Sequence, residues 1–349
     1  MTDSQLQRLV AQLHEWAREL GFQALGITDT QLDLPADRLG AFLEQGRHGS
    51  MQWLENHQEK RRHPALLELG TFRVISVRMD YWTDSDAKAN LQNQERAYIS
   101  RYALGRDYHK MMRRRLAQLA DKLRAEVESS TLGRAFVDSA PVMEKPLAEK
   151  AGIGWQGKHT LIINKKAGSY FFLGEIYTDI PLPIDTPASN HCGTCTACIT
   201  ACPTAAIVAP YELDARRCIT YQTIENKGAI DLELRPMMGN RVFGCDDCQL
   251  VCPWNKFAQF SENDDFKPRH SLDQSSLAEL FLWSENDFLD RTQGSAIRRA
   301  GYEGWLRNIA VGLGNGPFTP TVIQALEQRR GFSALLDEHI DWALKRLLE

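Results

Sequence analysis

Eight cysteines, all between Cys192 and Cys252 of a 349-residue chain, limit most sharply what this sequence can become. Cys192-Gly-Thr-Cys195-Thr-Ala-Cys198-Ile-Thr-Ala-Cys202-Pro203 is C-x2-C-x2-C-x3-C-P, a run in which three thiolates wrap one 4Fe-4S cluster and the fourth reaches another. Cys245-Asp-Asp-Cys248-Gln-Leu-Val-Cys252-Pro253 has the same ending but lacks a cysteine at its front, and Cys218 upstream can supply it. The count places Cys192, Cys195, Cys198 and Cys252 on one cluster and Cys202, Cys218, Cys245 and Cys248 on the other, with none left over. Four thiolates can also hold zinc, but the C-x3-C-P endings and the crossed count favour iron and sulfur. Two clusters tied together in this way suit electron transfer in single steps.

The chain is too long to be only an electron carrier, because domains usually run to roughly 100–200 residues. With 43% hydrophobic and 25% charged residues it can bury substantial cores. The start, Met1-Thr-Asp-Ser-Gln-Leu6, lacks the basic and apolar stretches of a secretory signal, and no stretch is long and apolar enough to span a bilayer. A cytoplasmic monomer is expected, with the cysteines as metal ligands rather than disulfides. The net charge of -4 argues against a uniformly basic nucleic-acid binder but leaves local basic surfaces open.

Leu6, Leu9, Val10, Leu13, Trp16, Ala17 and Leu20 recur at helical spacing, and Gly21 ends the run before the strand-like Ala24 to Thr28. Further strands are expected at 74–77, 135–137, 161–164 and 171–177, and helices at 36–44 and 108–128. This alternation predicts an α/β or α+β domain over residues 1–182. Three prolines between Ile180 and Pro187 mark a linker into a ferredoxin-like segment, 183–262. Short apolar helical patterns then predict an all-α, HEAT-like unit over 263–349.

Long motifs then show a family resemblance. Gly105-Arg-Asp-Tyr-His109, Val137-Asp-Ser-Ala-Pro141, Ala148-Glu-Lys-Ala-Gly-Ile-Gly-Trp155, Leu213-Asp-Ala-Arg-Arg-Cys218, Gly244 to Trp254, and Gly294-Ser-Ala-Ile-Arg-Arg-Ala-Gly301 make the chain similar to the epoxyqueuosine reductases over nearly its whole length. Reductive dehalogenases share the same core and clusters. The resemblance implies a cobalamin-binding N-terminal domain, fed with electrons by the two clusters, that reduces the epoxide of a transfer RNA wobble nucleoside. An external electron donor is implied as well. A cobalamin-dependent reductase of a small molecule and a bare electron-transfer subunit are the competing readings.

Within that resemblance, Asp138 is the expected proton donor, although position alone suggests a turn or helix-capping aspartate. To donate at neutral pH its carboxyl should be raised by burial. Arg61 and Arg101 match a cobalamin-binding region, although by themselves they read as solvated charges. Lys158, Ile163, Thr220 and Asp246 are further expected cofactor contacts. Tyr108 and His109 are expected only to pack or hydrogen-bond. Asp107-Tyr-His109 is similar to the start of a D-x-H-x-x-G cobalamin signature, but Met112 stands in place of the glycine, so no protein histidine is expected on cobalt. Gly152 to Lys158 spells G-x-G-x-x-G, yet a helix precedes it and a strand follows, the reverse of a dinucleotide fold. The glycines are expected in a tight loop approaching cofactor or substrate, with plain turn glycines as the alternative. Lys145, Gln156 and His159 receive no role.

Basic runs at Lys60 to Arg62 and Lys110 to Arg115 are usual for solvated helix faces. Arg291, Arg298, Arg299 and Arg307 lie among helices poor in acid and are better placed to follow a phosphate backbone. The resemblance makes this the transfer RNA surface, with the wobble base splayed out to reach the cofactor. Tyr221, Trp254 or Tyr302 could stack on it, but core packing suits each of them better.

Overall fold

The computed structural model describes residues 1–127 and 133–349. Four strands form one sheet in the order Ala24–Thr28, Arg73–Asp80, Phe171–Thr178, Arg134–Phe136. Every neighbouring pair in it is antiparallel, which makes the N-terminal half α+β rather than a parallel α/β fold. Both faces of the sheet are covered, so its two central strands are buried almost throughout.

Ile75, Val77 and Ile176 face the helices Asp3–Glu19 and Tyr108–Val127, which contribute Leu9, Leu13, Met112, Leu116 and Leu119 to one core. The first helix starts at a capping box in which Thr2 and Gln5 satisfy each other's free amides. It ends before Gly21, whose φ of +82° favours glycine. The second begins where expected, and the last residue of its expected span, Glu128, lies outside the described residues. On the opposite face Val74, Phe136 and Tyr177 pack against Leu147 of the helix Glu144–Lys150. Period-2 alternation puts Ser76 and Glu175 on that same face, as directly opposed partners in the strand register.

The cysteine segment contains short helices, of which Ala197–Ala201 packs against Asp247–Leu250. C-terminal to it, the buried helix Gly301–Gly314 is packed by Leu277–Phe281, Ala334–Leu348 and the strand Arg241–Phe243. The core around it also includes Ile99, Leu104, Ile224 and Phe243, while Phe266 belongs to the N-terminal core. The boundary expected at 262/263 therefore does not separate two hydrophobic cores. Among the described residues no helix is long and apolar enough to cross a membrane.

Candidate active site between the sheet and the cysteine segment

A cavity of about 370 Å³ lies between the end of the strand Phe171–Thr178 and the cysteine segment. Tyr81, Tyr102, Tyr108, Phe171 and Phe172 give it aromatic walls, and Cys202, Cys218, Cys245 and Cys248 lie on its other side. Tyr108 stacks on Phe172 with ring centroids 3.7 Å apart, so its orientation is set by packing.

None of the eight cysteines forms a disulfide. Cys192, Cys195, Cys198 and Cys252 feel one another electrostatically, as do Cys202, Cys218 and Cys248, with Cys198 close to Cys248 as well. Burial pushes the thiols of Cys218, Cys245 and Cys248 up, so holding them as thiolates requires a positive partner such as iron. Thr220 supports Cys218 through its backbone and side chain, and both Thr220 and Asp246 line the cavity. The buried carboxylate of Asp246 accepts from Tyr98 Oη at 2.8 Å, from Ser100 Oγ at 2.5 Å and from Arg101 N at 2.8 Å. It fixes the floor beside Cys245.

Several expected contacts lie elsewhere. Arg61 is 7% exposed and its guanidinium is bonded to the carbonyls of Trp53, Leu54 and Asn56, so it ties a loop together instead of facing the cavity. Arg101 stands behind Asp246, reaching Thr83 O and lying over the Tyr170 ring. Lys158 donates to Gly193 O at 2.7 Å and Cys195 O at 2.9 Å, which makes it an anchor for the first cysteine loop. Ile163 is buried against Trp155 and Cys252. The glycines of the G-x-G-x-x-G run serve packing: a Cβ on Gly154 would stand 2.4 Å from Ile163 O. The residues that follow them, His159 to Ile162, reach the cavity.

His159 and Lys145, which had no expected role, line that cavity. His159 Nδ1 accepts from Leu161 N at 3.1 Å, and burial with the Lys145 charge lowers its imidazole to about 4. The ring is therefore neutral with its proton on Nε2, a buried donor without a partner among the described residues. Aromatic walls, an ammonium and an orphaned N–H donor suit a large flat macrocycle with an amide-bearing rim, and the residues present fit cobalamin.

Asp138 lies behind the cavity-lining Glu144, to which its N donates, with φ +54°, a left-handed conformation that aims its carboxylate at His109. His109 Nε2 is 2.9 Å from Asp138 Oδ2, and its Nδ1 contacts Asp107 Oδ1. Burial lowers the imidazole, but the two carboxylates outweigh it and raise His109 to about 9. Burial pushes the Asp138 carboxyl up, yet the hydrogen bond and charge of His109, with Arg299, hold it below its ordinary value. This corrects the expectation of a raised Asp138: the proton resides on its histidine partner. Arg299, expected on RNA, keeps an exposed side chain but reaches the pair, with Nη2 2.8 Å from His109 Nε2 and Nη1 3.8 Å from Asp138 Oδ2. A charged His109 donates to Asp138, and only the neutral ring could accept from Arg299.

Arg307, also expected on RNA, is 1% exposed, and its guanidinium donates to Gln222 O, Asn226 O and Gly228 O. It clamps the C-terminal helix to the cysteine segment and cannot reach a phosphate. Arg298 remains exposed. Tyr221 is bonded to Ser50, Tyr302 to Trp283 O, and Trp254 packs edge-on against Trp155, as core roles require.

Cluster-type cysteines opening on a cavity, with a proton held between Asp138 and His109 beside its lining residues Tyr108 and Glu144, define an iron–sulfur oxidoreductase. A family model described as "Epoxyqueuosine reductase QueG, DUF1730" matches residues 61–139, and a "4Fe-4S double cluster binding domain" matches residues 191–255. An epoxyqueuosine reductase of Pseudomonas aeruginosa is 61% identical over 343 residues, spanning 97% of this chain and 94% of its own. One of Escherichia coli is 55% identical over 345 residues, spanning 99% and 91%. Among solved structures, a Bacillus subtilis epoxyqueuosine reductase with its catalytic aspartate loop swung out of the active site superposes with a TM-score of 0.89 at 28% identity, over 98% of this chain and 91% of that one. Another, holding an epoxyqueuosine-modified tRNA-Tyr stem loop, has a TM-score of 0.85 at 27% identity, over 99% and 100%. The chain belongs to the epoxyqueuosine reductase family.

Proposed function

We propose that this protein reduces the epoxide of epoxyqueuosine at the wobble position of transfer RNA, giving queuosine and water, with cobalamin in the cavity and two 4Fe-4S clusters on the cysteines. The observation that carries this reading is the placement of the cavity, with four cluster cysteines on one side and, on the other, Tyr108 and Glu144, which stand directly against the Asp138–His109 pair. Cys202, Cys218, Cys245 and Cys248 hold the cluster next to the cavity, and Cys192, Cys195, Cys198 and Cys252 hold the outer one, where Cys195 is exposed. Electrons from an external one-electron donor arrive there and move inward. The protein acts as a monomer with a cobalamin-binding part over 1–182 and a ferredoxin-like part from 183, which shares its hydrophobic core with the C-terminal helices across 262/263.

Cobalamin supplies the low-potential reducing chemistry at the substrate carbon. Lys145, His159 and Thr220 bind its rim, and the aromatic walls exclude water. Asp138 passes to the epoxide oxygen the one proton that it takes from His109, whose ring Asp107 orients. Arg299 keeps this cluster electrostatically balanced. Arg298 on the outer surface contacts the RNA backbone.

Anaerobic incubation of the reconstituted protein with cobalamin, reductant and epoxyqueuosine-containing tRNA tests this. Queuosine should form, and omitting iron or cobalamin should abolish it; product without cobalamin would overturn the cofactor reading.

A further inference from the structure

We propose that Glu144 and Glu175 share one proton and form a second proton store behind Asp138, from which Asp138 is reloaded between the two protonations of the departing oxygen. This rests on the epoxide-reduction reading, which needs two protons where the Asp138–His109 pair holds one.

Glu175 is 0% exposed, in the middle of the central strand, with Ser76 and Phe136 as its register partners. Ser76 Oγ reaches its Oε1 at 3.4 Å, while Oε2 meets no donor among the described residues. Glu144 lies against it in hydrogen-bond contact, from the first turn of the helix above. Two buried carboxyl groups in contact cannot both be charged, and one proton between them satisfies the orphaned oxygen. The pair is connected to the site: Glu144 lines the cavity, and its Oε1 accepts from Asp138 N at 2.5 Å. The charged groups facing it are Asp138 and Lys145, with His109 and Arg299 beyond Asp138. Burial and the Asp138 charge push Glu144 up to about 7, and burial with the neighbouring Glu144 raises Glu175 as well. No charged partner is spent on Glu175, which is costly for a core position and has no use in packing.

The step balances. Both C–O bonds of the epoxide break, the alkene takes the two electrons delivered through the clusters, and the oxygen leaves as water with two protons. The first proton comes from the Asp138–His109 pair. The second moves from Glu144 to the emptied Asp138 carboxylate as a solvent proton replaces it on the pair, so that Glu144 and Glu175 are not left charged together.

The test is the pH dependence of single-turnover reduction by reconstituted holoenzyme, compared for wild type and Glu175→Gln. The wild-type rate should fall as pH rises through about 7. In Glu175→Gln the amide donates to Glu144, which no longer needs a proton. The fall should move to lower pH, with kcat down about 100-fold and KM for RNA unchanged. Glu144→Gln gives the same kinetic result if Glu175→Gln folds poorly. A second readout is independent of turnover. An acid raised in the folded state costs stability as pH rises from its ordinary value of about 4.5, so wild type should lose stability over that range and Glu175→Gln should lose less. Folded variants whose pH profiles superimpose on the wild type would overturn the proposal. Inactive wild-type protein would overturn the epoxide reading instead, and the stability comparison would still decide the proton pair.

Discussion

His109 Nε2 lies 2.9 Å from Asp138 Oδ2, and with Asp107 on its other nitrogen the imidazole is held between two carboxylates at a value of about 9. A histidine raised on folding adds stability in full below its unfolded value of about 6.5 and loses it as pH rises through its folded value. Wild type should therefore exceed His109→Gln in unfolding free energy most at about pH 6, and the gap should close towards about pH 9. Denaturant titrations of anaerobic protein across that range check it, and a gap independent of pH would mean that His109 is not charged.

Replacing Cys218 with alanine should remove about four of about eight irons, because only the inner cluster depends on this upstream ligand. Iron analysis and cluster spectra of the reconstituted variant give the answer. Equal loss from both clusters would refute the ligand sets proposed here.

Of the arginines expected on RNA, Arg298 and Arg307 are now placed apart and should behave differently. Arg298→Glu, on the surface, should weaken RNA binding and lower the salt slope by about one to two phosphate contacts while leaving stability unchanged. Arg307→Ala removes a buried guanidinium bonded to three carbonyls and should cost about 3 kcal/mol or more of stability. Salt-titrated RNA binding measured beside thermal unfolding separates the two effects.

The sequence made plain what covalent spacing and periodicity encode: the cysteine runs, the helices at 3–19 and 108–127, and the strands of the sheet. The antiparallel order was not legible, because pairing partners such as Ser76 and Glu175 lie 99 residues apart. Arg61, Lys158 and Arg307 were misplaced for one reason. A basic side chain looks solvated in sequence, and only the fold brings backbone carbonyls around it. His109 stood in a recognised motif, but its role depends on Asp107 two residues away and Asp138 twenty-nine away, and only the second contact needs tertiary structure. A lone Glu175 inside an apolar strand was the overlooked signal, since an acid at a core-facing position demands a partner.

Asp138 bears the central claim, and a single-turnover comparison of wild type with Asp138→Asn tests it most directly. Reduced holoenzyme is mixed with epoxyqueuosine-containing tRNA, and the wobble nucleoside is weighed by mass spectrometry over time. Wild type should convert it to the species lacking one oxygen, while Asp138→Asn, which keeps the shape but carries no transferable proton, should be slower by about 100- to 10,000-fold with RNA and cobalamin still bound. An Asp138→Asn variant that keeps pace with wild type would contradict the account and assign the proton to another group.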